Sequence, residues 1–310
     1  MKKTFQKTLI AAAAGVALMS AVGTASANSL LFPYFTTATG AQSVLSLSNT
    51  GAASATQAIH YVYNYGASCV HFDASGSLTA NDILSHSIAA TTAGGFGKVV
   101  ASDTSTPVYF PLSGQVGFLV VSSKTTGSTD ALRGSMAIVD TNSGLVASYP
   151  GIDNALTNAA ADEGNFSANI DLNFPLTFMP AATVATSWYN VVVGDMSTAI
   201  GLGQNWGPGL TWQNQGFIWN NDEVAFSGST TKTITCAGSF VSTDLMTTAQ
   251  ASAVGTNGGL LKILGLPVAA TAPALGTATG GVLMKMQQVQ AAVGAPFAGK
   301  QFQHREQAGI

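Results

Sequence analysis

Charge is scarce in this sequence: 11 Lys and Arg with 14 Asp and Glu make up 8% of 310 residues, against about 25% in an ordinary globular chain. After residue 7 the basic residues are scattered singly. That pattern excludes a surface that tracks nucleic-acid phosphates, which needs clustered Lys and Arg. Catalytic signatures are missing too. The four histidines, His60, His71, His86 and His304, have no His-Glu-x-x-His spacing, and neither Gly-x-Ser-x-Gly nor a phosphate-cradling Gly-rich loop ending in Lys-Ser or Lys-Thr occurs. No metal site, cofactor or catalytic residue is therefore expected from motifs. After residue 27 no uninterrupted apolar run reaches the roughly 20 residues of a membrane-spanning helix. There are only two cysteines.

What is present begins at the N-terminus. Lys2, Lys3 and Lys7 form a positive region, Leu9 to Val22 is apolar and uncharged, and Ala25-Ser26-Ala27 places small residues where a signal peptidase reads. Residues 1–27 are expected to be a cleaved signal peptide, with the mature chain starting at Asn28 in the extracellular space, on the cell surface or in the periplasm. Three basic residues leave with the leader and no acidic ones do, so the mature charge is 8 − 14 = −6. The remaining surface must be built from small neutral polar side chains. In an oxidising compartment Cys69 and Cys236 are expected to form a disulfide. In the chain-entropy account, closing so long a loop contributes at most about 5 kcal/mol.

The mature chain suits one large or two smaller antiparallel β-sandwich domains, here taken as 28–160 and 161–310. Strands separated by Gly, Ser, Asn and Thr clusters are expected at Ser43–Ser48, Gln57–Tyr65, Cys69–Asp73, Val108–Leu112, Gln115–Ser122 and Leu132–Asp140. In Gln57–Tyr65 the residues Ile59, Tyr61, Tyr63 and Tyr65 share one face. His60, Val62 and Asn64 share the other, which predicts an exposed His60. Gln115–Ser122 and Leu132–Asp140 are apolar on both faces and read as central strands joined in a hairpin across Lys124–Asp130. Further on, Ala185–Val193 and Thr230–Val241 read as strands, the latter placing Ile234, Cys236 and Phe240 on one face. Ser242–Ala253 reads as a helix capped by Ser242 or Thr243. Gly255–Gly281, rich in Gly, Ala, Pro and Thr, reads as an irregular connection, and Val282–Val293 fits helix and strand periodicities alike.

Leu30, Leu31, Phe32, Pro33, Tyr34 and Phe35 form an apolar, β-prone segment interrupted by one proline, which suits an edge strand. Such an edge could pair within its own sheet or with another copy of the chain. Together with Ser43-Val-Leu-Ser-Leu-Ser-Asn-Thr50, the segment resembles the start of uncharacterised secreted β-rich proteins of Gram-negative bacteria. That resemblance implies an Ig-like architecture and transfers no catalytic residues.

All four tryptophans, Trp188, Trp206, Trp212 and Trp219, fall in one stretch beside Asn, Gln and Asp. They suit either the core of the second domain or a polysaccharide site, where indole faces pack on sugar C–H groups and amides bond the hydroxyls. Asn220, Asn221, Asp222 and Glu223 offer oxygen donors but lack the alternate spacing of a calcium loop, and read as a turn. The sum points to a non-enzymatic extracellular or cell-surface protein, structural or adhesive, able to associate with itself or with other surface components. A secreted carbohydrate-binding or carbohydrate-active protein is the alternative.

Overall fold

The computed structural model describes residues 29–50, 56–66, 70–90, 97–101, 108–110, 114–125, 132–140, 145–153, 173–178, 184–193, 209–235, 237–254, 258–267, 280–290 and 297–303. The expected leader, both cysteines and Trp206 lie outside these residues. Among them the protein is mainly β, in antiparallel sheets of sandwich architecture, as the period-2 patterning predicts. The chain divides into two compact units, one formed by Met1–Tyr65 and His71–Glu163, the other by Gly66–Val70 and Gly164–Ile310. No helix among the described residues is long and apolar enough to cross a membrane.

In the first unit one sheet runs β11 (Ile152–Asp153), β1 (Ser29–Thr36), β8 (Val116–Ser123), β3 (Gln57–Tyr65), β4 (Val70–Leu78). The other runs β10 (Leu145–Pro150), β9 (Leu132–Asp140), β2 (Ala41–Asn49), β5 (Ile83–Ala90), β6 (Gly97–Ala101), β7 (Val108–Phe110). They meet through Phe32 of β1, whose ring lies so close to β9 that a Cβ on Gly134 would sit 2.9 Å from Phe32 Cζ and 2.8 Å from Leu47 Cδ2. Only glycine lets the two layers approach this closely. β8 and β9 do not form the expected hairpin. Each is flanked on both sides by other strands, and the two lie in different sheets. His60 is half-buried rather than exposed, and Val62 and Asn64 beside it are buried, so β3 is covered on both faces.

The N-terminal segment also departs from expectation. β1 is no plain edge: it pairs with β8 along its length and with β11 at Leu30 and Leu31, and all eight residues are buried. Pro33 is accommodated by a bulge. Between Phe32 and Phe35 three steps on β1 match two on β8, from Leu119 to Gly117, so both phenylalanines reach the inner face. There Phe35 meets the Tyr63 ring edge-on at 5.8 Å, and Phe32 lies 6.4 Å from Tyr149. The bulge takes the backbone of Tyr34 out of the ladder, and the Tyr149 hydroxyl restores its bonds, accepting from the Tyr34 N–H at 3.1 Å and donating to the Tyr34 carbonyl. Burial pushes this phenol well above its ordinary pKa, the bond to Tyr34 opposing the shift, and burial also raises Tyr61 and Tyr63. Tyr149→Phe, which removes the hydroxyl that bonds both backbone groups, is expected to cost about 1–3 kcal/mol. Chemical denaturation of the two proteins measures it.

In the second unit one sheet runs β12 (Asn173–Phe178), β18 (Gly259–Pro267), β14 (Gly209–Asn220), β15 (Ala225–Ser227), with β16 (Thr231–Thr235) also paired to β14. The other runs β17 (Ala237–Val241), β13 (Val184–Val193), β19 (Gly280–Gln290), β20 (Phe297–Gln303). Thr230–Val241 is thus two strands in two sheets, and Ile234 and Phe240, both buried, do not share one strand face. Gly255–Gly281 contains β18, and the described part of Val282–Val293, up to Gln290, is strand, within β19. The expected helix is a 3₁₀ turn, Ser242–Leu245, followed by helix α1, Thr248–Val254. Its cap is Thr247: the hydroxyl accepts from the Gln250 N–H at 3.2 Å, and Gln250 Oε1 accepts from the Thr247 N–H at 3.0 Å, a reciprocal capping box.

Candidate functional site

β14 carries the aromatic residues that the sequence singles out, and its alternation sends them in opposite directions. Trp212, Asn214 and Ile218 face inward and are buried. The Trp212 ring packs 6.0 Å from Phe240 on the opposing sheet, and its Nε1 has no hydrogen-bond partner. Trp219 lies on the other face, half-buried, with its ring 6.3 Å from that of Phe217 and inclined by 35°. Phe217 is 50% exposed, one of few large hydrophobic side chains among the described residues that are exposed. Trp188 sits on β13, in the other sheet, at the register position of Phe240 and Lys285. Trp212 and Trp219 therefore lie on opposite faces of β14 and do not share one surface, and Trp206 lies outside the described residues.

The outward face around Phe217 and Trp219 is set by register. Ser227 lies opposite Phe217, Ala225 opposite Trp219, Thr231 opposite Gln213 and Thr233 opposite Thr211. The last two hydroxyls are 2.9 Å apart. None of these residues is charged.

A break in the ladder shapes the strand. Between Asn214 and Ile218 the register with β18 shifts, and Gly216 and Gly228 take the positive φ values of +92° and +134° that a side chain would resist. The break is held from behind: Gln250 Nε2 donates to the carbonyls of Phe226 and Gly228, both at 2.9 Å, while Asn214 Oδ1 accepts from the Gly216 N–H at 2.8 Å. At the far end the chain reverses through Asn220–Val224. Asn220 Oδ1 accepts from the N–H groups of Asp222 and Val224 at 3.0 and 2.9 Å, and Glu223 adopts φ +61°. The turn reading of these residues fits their bonding, since the Asn220 oxygen is already engaged with the backbone. Among the described residues no group of three or more His, Cys, Asp or Glu is placed to hold a metal ion.

A second constellation arises only from pairing. Ser122 on β8 lies opposite His60 on β3, and His60 Nε2 lies 3.7 Å from Asp73 Oδ1 on β4, so serine, histidine and aspartate occupy three adjacent strands. Ser122 is 1% exposed. A nucleophile needs an open approach that this hydroxyl lacks, so the group reads as polar pairing across the sheet, with Asp73 at its exposed end. Sequence spacing could not have brought these residues together, because only the register of distant strands does.

No protein-family model and no curated protein matches this sequence. What the chain does is therefore argued from its own chemistry.

Proposed function

We propose that this is an exported, non-enzymatic protein of the cell surface or extracellular space, with a structural or adhesive role and a capacity to assemble with copies of itself. The observation that carries the reading is how its outward strand faces are built. On β2 and β5 the polar side chains bond one another, Gln42 Nε2 donating to Ser87 Oγ and Ser46 Oγ lying 3.3 Å from Ser85 Oγ, while on β14 and β16 Thr211 and Thr233 do the same. Hydroxyl and amide ladders of this kind give a sheet a neutral, hydrogen-bonding exterior. Such a face has little of the charge repulsion that keeps soluble proteins apart. The leader-like N-terminus, the scarcity of charge and the disulfide proposed between Cys69 and Cys236 support the same reading.

Fractionation of producing cells, N-terminal sequencing and electron microscopy of the mature protein test it together. The expected result is a chain starting at Asn28 in the surface or culture fraction, forming filaments, layers or surface-attached material. An uncleaved chain retained in the cytoplasm would overturn the proposal.

A further inference from the structure

We infer that the outward face of β14 and β15, centred on Phe217 and Trp219, is a binding surface for neutral polysaccharide. The inference rests on the adhesive reading and names what that adhesion recognises. Two aromatic rings inclined by 35° and side by side at 6.3 Å present a broad apolar platform to solvent. On the β15 side lie the small side chains Ala225 and Ser227, both exposed, so nothing bulky in that strand stands over the rings, and on the β18 side Leu260 lies opposite Trp219. A pyranose offers the matching chemistry: an apolar C–H face for the aromatic ring, and a rim of hydroxyls that give and accept hydrogen bonds. Thr211, Gln213, Thr231 and Thr233 continue the same face along β14 and β16 and supply uncharged partners for that rim.

Charge decides between kinds of polymer. The turn that follows Trp219 carries Asp222 and Glu223, both exposed, while Lys232 reaches Asp244 at 3.8 Å and the one basic residue of β18, Lys262, stands two positions from Leu260, the register partner of Trp219, so carboxylates outnumber the ammonium group on this side of the sheet. An anionic polymer laid along the rings would meet these carboxylates, whereas a neutral one would not. The platform is also held in advance of binding, because the Gln250 bonds fix the break at Gly216 and Gly228, and the Asn220 bonds fix the turn on the other side. A flat, preorganised surface loses little freedom when a stiff polymer docks.

Pull-down and affinity electrophoresis of the full mature protein test the inference, with cellulose, chitin, xylan and mannan as neutral probes and alginate as the acidic one. The wild type is expected to bind at least one neutral polymer and not alginate. Trp219→Ala and Phe217→Ala should each weaken that binding by about tenfold, and Trp219→Phe should restore part of it. Thermal melting of each variant close to the wild type separates lost contact from lost fold, and Val241→Ala, at an exposed hydrophobic residue on another strand, should leave binding unchanged. Retained polysaccharide binding by the Phe217→Ala, Trp219→Ala double variant would overturn the inference while leaving the adhesive reading standing. So would loss of self-association in that variant when the wild type binds no polymer, which would make the platform a contact between copies. A mature protein that binds neither polysaccharide nor any cell surface would remove the adhesive reading as well.

Discussion

Removal of Ser29–Thr36 is expected to leave the N-terminal unit unfolded, with loss of its near-ultraviolet signal and rapid proteolysis of residues 37–163. β1 is a member of the first sheet between β11 and β8, and all eight of its residues are buried. Leu30, Leu31, Phe32 and Phe35 are each 0% exposed, and burying a side chain of this size contributes roughly 1.5–3 kcal/mol. Four such losses compare with the whole of a typical domain's stability, about 5–15 kcal/mol, before the strand's hydrogen bonds to β8 are counted. The competing idea, that this strand is lent to a neighbouring copy, makes the opposite forecast: a folded monomer that no longer assembles. Sedimentation velocity and circular dichroism on the truncated protein distinguish the two. A folded, monomeric product would return the segment to the role of an exchangeable edge.

Trp212→Ala is expected to lower the stability of the second unit by about 3–5 kcal/mol, the range for truncating a large buried aromatic ring. The ring is wholly buried between β14 and Phe240 on the opposing sheet, so its loss leaves a cavity where the two layers meet. Its unpartnered Nε1 suggests a finer comparison. Trp212→Phe removes a buried donor that already lacks an acceptor, so its cost should fall well below that of alanine, despite the smaller ring. Denaturant titration of the three proteins orders them. If Trp212→Ala melts like the wild type, the placement of this residue in the core is wrong.

Local pattern made parts of this fold legible. Gln57–Tyr65 and Leu132–Asp140 are strands with those boundaries because alternating Ile, Tyr and Val in one, and Met, Ile and Val in the other, admit no helical face. Partners were not legible. Nothing in Lys124–Asp130 states whether the flanking strands pair or part, and β8 and β9 lie in different sheets because each has two better-placed neighbours from elsewhere in the chain. β18 was hidden for a different reason: Leu260, Leu261, Ile263 and Leu264 sit within a stretch whose glycines, prolines and alanines suggest a loop, and only pairing with β12 and β14 reveals the strand. At the candidate site the sequence drew attention to tryptophan by its clustering, whereas the structure sends Trp212 and Trp219 to opposite faces of β14 and pairs Trp219 with Phe217. The signal for Phe217 was available. It stands two residues before Trp219 on a strand, a spacing that places both side chains on one face.

The Tyr149 hydroxyl bond to Tyr34 spans 115 residues of sequence. A contact of such separation delays folding, since the loop must close before any of its interactions can contribute. β1 emerges first from the ribosome, yet its partners on β8, β11 and β10 are made only after most of the unit has been synthesised. For all that time its apolar residues lack the strands they pair with, which is a condition under which chains aggregate or are held by chaperones. If the chain is exported as proposed, the same delay favours passage through a membrane channel, because its first sheet cannot be completed until residue 153 has arrived.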